Sequence, residues 1–192
     1  MKRLLILVAV ILVCSASVQN AMAKTDLGMR SIGGDVGLVD PENASGTIGF
    51  GTFADLGTIT PEIHLAPYAA YWSKSEGNPS SGEASVSDFN FGMRGKYMFH
   101  VSSPKFQPYA GAGLGLHLVT GKVTIPDMII GGFLIPGYEV KDTATKLGMD
   151  LGGGFFTPVG ARTDFTCDFW YGIVSDVSQL SLKVGLAYKL GR

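Results

Sequence analysis

From Gln179 to Leu190 the chain alternates without a break. Leu180, Leu182, Val184, Leu186, Tyr188 and Leu190 stand against Ser181, Lys183, Gly185, Ala187 and Lys189. A period of two puts successive side chains on opposite faces of a strand. The same pattern predicts seven earlier strands: 24–39, 46–54, 62–72, 88–99, 108–119, 144–155 and 161–172. Turn compositions separate them at Asp40-Pro41-Glu42-Asn43, Asp55-Leu56-Gly57-Thr58, Ser102-Ser103-Pro104-Lys105, Thr157-Pro158-Val159-Gly160 and Asp176-Val177-Ser178. Ser73–Ser87 reads as a long polar loop, and Thr120–Thr143 as the longest connection. Pro67 cannot donate to a ladder, so a bulge or break is expected there.

Each strand has one apolar face, and the charges gather on the other. That second face carries Asp35, Glu62, Arg94, Lys96, Lys146, Asp150, Arg162, Asp164, Asp168, Lys183 and Lys189, with His64 and His117 on the same parity. Gly33, Gly37, Gly49, Gly51, Gly111, Gly113, Gly115, Gly148, Gly152 and Gly154 fall there too. A narrow eight-stranded interior needs small residues beside large ones, whereas a solvated face does not. Loop lengths alternate, with the long connections at one end and short turns at the other. On the apolar face, Tyr71, Phe89, Phe91, Phe169 and Tyr171 map toward the long-loop end. Tyr97, Phe99, Phe155, Phe165 and Tyr188 map toward the short-turn end. Two aromatic bands around an aliphatic middle are the girdles of a lipid-spanning barrel. The expected fold is all-β: an eight-stranded antiparallel up-and-down transmembrane β-barrel. A soluble secreted barrel with the faces reversed is the alternative.

The N-terminus supports the membrane reading. Lys2 and Arg3 precede an apolar run from Leu4 to Val13, and Ala21 and Ala23 supply small residues before Lys24. This predicts a cleaved secretory signal over 1–23 and a single barrel domain over 24–192. Only Cys167 follows the signal, so no intramolecular disulfide is expected. Glycine supplies 27 of 192 residues, about twice its usual share of roughly 7%. The formal charge of −1 gives no basic stripe for nucleic acid.

With the export signal and eight strands in place, two segments carry a resemblance. Tyr109-Ala110-Gly111-Ala112-Gly113-Leu114-Gly115 and Leu182-Lys183-Val184-Gly185-Leu186-Ala187-Tyr188 make the chain resemble the opacity and OmpA/OmpX-like family of small bacterial outer-membrane β-barrels. The resemblance covers essentially all of 24–192. It implies outer-membrane lipid as surroundings and the β-barrel insertion machinery as a partner during assembly. It also implies an aromatic last residue, whereas this chain runs past Leu190 to Gly191-Arg192.

Two readings of the interior charges follow: an ion path, or a salt-bridged plug. Eight strands leave an interior just wide enough for side chains, which favours the plug. His64 and His117 share the inward parity two strands apart and could approach each other, but no third ligand at metal spacing is evident, and no cofactor is expected. His117 lies toward the long-loop end, where a lipid-modifying enzyme would place its machinery, yet no signature ties a serine to it. The tip of the longest connection is apolar: Met128, Ile129, Ile130, Phe133, Leu134 and Ile135. It could fold over the mouth or into lipid, or form a patch for an unknown surface ligand or protein. The function expected is structural or surface-interacting, with a narrow channel for small or apolar solutes as the alternative and an enzyme a distant third.

Overall fold

The structure is a computed structural model; it describes residues 25–191 apart from 43, 79–81, 104 and 131–132. Alternation gives β1 (Asp26–Pro41), β2 (Thr47–Thr60), β3 (Ile63–Asn78), β4 (Gly82–Met98), β5 (Gln107–Ile125), β6 (Met128–Ile130), β7 (Phe133–Ile135), β8 (Tyr138–Pro158), β9 (Thr163–Val174) and β10 (Gln179–Lys189). Eight of these close into a ring in the order β1-β10-β9-β8-β5-β4-β3-β2, while β6 and β7 pair only with each other. Following paired residues once round the ring leads from Gly154 through Asp168, Lys183, Gly37, Gly49, Trp72, Asp88 and Val119 to Ala144. The path returns to β8 ten residues from its start. That stagger requires strands tilted by about 40° to the barrel axis. Closure leaves no open edge within the ring, as lipid demands.

The predicted faces sort as expected. Ile32, Val36, Leu38, Phe50, Phe91, Leu114, Leu147, Leu182 and Leu186 are exposed on the outer surface, Leu147 by 69%. Asp88, Asn90, Lys96, His117, Asp150, Asp164, Thr166 and Asp168 are buried inside. An aqueous exterior would reverse this, because exposed apolar area costs about 25 cal/mol per Å². The aromatics form contacts in two bands. Phe50 packs on Tyr71 at 5.6 Å between ring centres and Phe89 on Phe91 at 5.9 Å. At the other end Tyr97 meets Phe99 at 5.3 Å, and Phe155 meets both Phe106 and Phe165.

Several elements differ from the sequence reading. Asp55–Thr58 is no turn. Gly57 takes φ +87° and its N–H donates to Asp55 Oδ1 at 2.7 Å, so the chain bulges and β2 continues to Thr60. A left-handed glycine beside an aspartate serves a bulge as readily as a reversal. The reversal falls instead at Pro61-Glu62, which takes Glu62 out of the strand and off the lumen wall. Arg162 is likewise exposed in the turn before β9. Ser73–Ser87 is mostly strand, with β3 and β4 paired out to Asn78 and Gly82. Pro67 pairs with Met93 on β4 and lies where the β2–β3 ladder is interrupted between Tyr68 and His64. The signal reading over 1–23 and the terminal Arg192 lie outside the described residues.

Candidate functional site

The centre of the lumen is filled by β4 side chains and the rings that receive them. Arg94 and Lys96 are two apart on β4, so both point inward. The Arg94 guanidinium carbon lies 3.7 Å from the Tyr68 ring centre and 4.1 Å from that of Trp170. Its Nε and Nη2 both reach Asp150 Oδ2 at 3.0 Å. Lys96 Nζ stands over Tyr109, Phe156 and Phe53 at 4.4, 5.1 and 5.2 Å. The Tyr109 hydroxyl donates to Asp168. Cation–π contacts stabilise by up to about 2 kcal/mol each where water is excluded. Small inward residues make the space: a Cβ at Gly115 would collide with the Tyr68 hydroxyl, and one at Gly33 with the Phe53 ring.

Above this layer, toward the long loops, Asp88 accepts from His117 Nδ1 at 2.8 Å and Asn90 Nδ2 at 2.9 Å through the same Oδ2. Gln179 joins it and accepts from Trp72 Nε1 at 2.5 Å. His117 Nε2 faces Gly148, where a Cβ would stand 2.7 Å away, and the Val174 side chain. Ser178 Oγ donates to Val174 O at 3.1 Å, and His117 Nε2 has no hydrogen-bond partner among the described residues. Below the centre, toward the short turns, a cavity of about 490 Å³ opens at the barrel end, lined by Asp26, Arg30, Asp55, His64, Asp164 and Lys189 and roofed by Met98 and Phe156. Each base there has an acid: Arg30 with Asp26 at 2.8 Å, His64 with Asp55 at 2.8 Å, Lys189 with Asp164 at 2.7 Å.

The inward residues named from the sequence therefore divide by depth. Arg94, Lys96, Asp150 and Asp168 meet at the centre, and Lys183 pairs with Asp35 at 3.0 Å across the β10–β1 seam. Lys146 sits at the outer mouth, bonded to Ser175 O and Asp176. His64 and His117 do not approach each other. His64 aligns with Lys96 and Gly111, near the lower cavity, and His117 aligns with Asn90 in the upper cluster. Among the described residues, no three His, Cys, Asp or Glu side chains gather to hold a metal ion. Sequence reasoning missed Asp55, Asp88, Asn90 and the interior rings of Phe53, Tyr68, Trp72, Tyr109 and Trp170. Their signal was available: all the rings fall on the charged parity, where a purely polar lumen would have none.

The second candidate region lies outside. The β3–β4, β4–β5 and β5–β8 ladders continue to Asn78–Gly82, Glu83–Thr124 and Ile125–Tyr138. Opposite them β1–β2 and β9–β10 turn near the mouth. A four-stranded arm thus stands on one side, with the β6–β7 hairpin at its tip. Gly137 N donates to Asp127 Oδ1 at 2.6 Å, bracing the base of the tip. Lys122 pairs with Glu139 at 2.9 Å. Ser45, in the β1–β2 loop, donates both its hydroxyl and its N–H to Glu76 on β3. Those bonds hold the Glu76 carboxyl below the usual glutamate range.

Comparison with known proteins agrees with this architecture. Residues 6–189 match the family described as outer membrane protein beta-barrel domain. Comparison with curated protein sequences gives no significant match. Among solved structures, Neisserial surface protein A is similar with a TM-score of 0.60 and 17% identity, covering 83% of this chain and 96% of that one. The attachment invasion locus protein Ail of Yersinia pestis gives 0.52 and 12%, covering 84% and 97%. A major outer membrane protein of Thermus thermophilus gives 0.58 and 9%, covering 83% and 99%. At these identities the structures share a fold. The family match, the closed eight-stranded ring and the apolar exterior together make the chain a member of the outer membrane protein β-barrel domain family, resident in the bacterial outer membrane.

Proposed function

We propose that this barrel is a closed structural scaffold that presents its external arm at the cell surface, rather than a channel or an enzyme. The observation that carries the reading is the central layer. Arg94 is held by Tyr68, Trp170 and Asp150, and Lys96 by three further rings, so the middle of the lumen is occupied by side chains in close contact with one another. Asp35, His64, His117, Asp164, Asp168 and Lys183 extend this network, and Lys146 and Lys189 hold its two rims. Ion pairing offsets the cost of burying those charges in an interior of low dielectric, while Asp88 Oδ1, His117 Nε2, Thr166 Oγ1 and Trp170 Nε1 have no hydrogen-bond partner among the described residues.

The surface role rests on the arm, whose apolar tip is exposed. Neisserial surface protein A and the attachment invasion locus protein share this fold, and their names support a role at the surface. The segment 1–23 is read as a signal removed on export, leaving 24–192 as one domain that the β-barrel insertion machinery assembles.

Single-channel recording of the refolded full chain in planar bilayers tests the closed lumen. A silent membrane is expected. Stable, reproducible openings would overturn the scaffold reading in favour of a narrow conduit.

A further inference from the structure

The polarity of the two strand faces reverses where the arm leaves the barrel. Within the ring the outward row of β5 is Leu114, Leu116 and Leu118, and beyond it the same row is Thr120, Lys122 and Thr124. β8 makes the same change, from Leu147 to Thr145, Thr143, Lys141 and Glu139. The opposite row, continuous with the lumen, becomes apolar instead. Val123 pairs with Ala84 on β4 and with Val140 on β8, and Ile125 pairs with Tyr138. Val140 is 55% exposed and Tyr138 58%. The arm is therefore a sheet with one polar and one apolar face, and exposed apolar clusters mark contacts.

The two lateral edges of that sheet differ. The β3 edge is covered by the β1–β2 loop: Thr47 Oγ1 donates to Ser73 O at 2.8 Å, Lys74 Nζ to Gly46 O at 3.4 Å, and Ser45 holds Glu76. β8 pairs with β5 from Tyr138 to Phe156, but its ladder with β9 begins only at Gly148. From Tyr138 to Thr145 the far side of β8 has no strand partner among the described residues. Alternate N–H and C=O groups point outward along that stretch, and a free edge of this kind is a template for another strand.

Resting on the surface-presenting role above, we propose that this edge of β8 binds an extended segment of a partner protein by strand addition. Charge and face fix what that segment carries. Lys122 and Lys141 are directly opposed, and Lys122 turns to Glu139 on the diagonal at 2.9 Å. Lys141 on the polar face and Asp142 on the apolar one are exposed, with no ion-pair partner among the described residues. An antiparallel newcomer sets an acid opposite Lys141, a base opposite Asp142, and apolar side chains opposite Val140 and Ala144. Read from its N-terminus, the complementary segment runs apolar, polar, basic, acidic, apolar. A second copy of this chain in the same membrane does not match. Its β8 runs in the same direction, and joining the two edges about an axis along the membrane normal sets the polar face of one beside the apolar face of the other.

The test uses the full chain in nanodiscs with the synthetic peptide Thr-Val-Thr-Lys-Glu-Val-Thr-Val, whose residues are set to face Thr145 through Tyr138. Saturable binding is expected, with amide exchange slowed at alternate residues between Tyr138 and Thr145. Exchanging Lys and Glu within the peptide sets like charges against Lys141 and Asp142 and should weaken binding about fivefold or more. The Lys141→Glu, Asp142→Lys double variant should reverse that preference, with its heat-resistant gel shift unchanged. Absence of binding, equal binding of the two peptides, or no slowing along β8 would overturn the proposal. So would slowing that appears in the peptide-free protein as its concentration rises, which would make a second copy the occupant. If the proposal falls while the lumen stays silent in planar bilayers, the closed scaffold stands. Stable openings would remove the scaffold reading itself.

Discussion

Arg94 on β4 reaches across the lumen to Asp150 on β8, and both guanidinium bonds converge on one carboxylate oxygen at 3.0 Å. The strands are not neighbours in the ring, since β5 stands between them. The pair is thus a strut through the barrel rather than a cross-strand contact, and it holds the guanidinium over the Tyr68 and Trp170 rings.

Cutting the strut should be costly. Arg94→Ala leaves the Asp150 carboxylate buried without its cation and opens a gap against two rings. A loss of about 3–5 kcal/mol is expected, read from urea unfolding of the refolded protein in micelles. Arg94→Lys should recover only part of it, because an ammonium cannot supply two fixed donors and a flat face together. Full recovery by lysine would reduce the strut to simple charge neutralisation.

The upper cluster makes a steric prediction. A methyl at Gly148 would stand 2.7 Å from His117 Nε2 and 2.8 Å from Val174 Cγ2. His117 is fixed by Asp88 and cannot swing aside without breaking that bond. Gly148→Ala should therefore destabilise the barrel by about 1–3 kcal/mol. Combining it with His117→Ala should cost less than the sum of the single changes, since the imidazole is the obstacle. Strict additivity in the urea series would place the strain elsewhere.

How far the sequence could be read depends on what each residue answers to. Alternation answers to lipid on one face and a packed lumen on the other, so the eight barrel strands and the inward placement of Asp35, Lys96, Asp150 and Lys183 were legible. The ends were less so. Ser73–Ser87 has little apolar alternation because the arm stands in water, where a paired strand needs none, and its Gly, Asn, Pro and Ser read as loop. Asp55–Thr58 has the composition of a reversal and forms a bulge, which displaced Glu62 from the wall. Which acid each histidine selects was not legible. Asp88 meets His117, and Asp55 meets His64, through the stagger of the ring and the depth each residue occupies. Parity carries neither quantity.

The link between Ser45 and Glu76 should respond to acid. Glu76 has a folded pKa below its ordinary 4.5, chiefly because the Ser45 hydroxyl and N–H donate to its carboxylate. A depressed acid contributes its stabilisation above the unfolded pKa and loses it as pH falls through the lower folded value. The β1–β2 loop should thus stay tied to β3 at neutral pH and loosen under acid. The Ser45 amide resonance should shift over that acidic range, and Ser45→Ala should return Glu76 to ordinary titration. An amide that moves near neutral pH instead would mean another group controls the loop.

The seam between the first and last strands carries a final prediction. Lys183 and Asp35 meet at 3.0 Å with side chains only 11% exposed, and Lys183 sits opposite Gly37 in the ladder that closes the ring. Either partner alone would be a nearly buried charge beside the joint formed last in chain order. Lys183→Met or Asp35→Asn should each cost about 3 kcal/mol or more. The double change should cost less than either, because an apolar side chain beside an amide leaves no unpaired ion. Folding from urea into vesicles should show the same order in rate if the seam forms in the transition state. Equal folding rates with unequal stabilities would put seam closure after that barrier, with the single variants differing from wild type only in how fast they unfold.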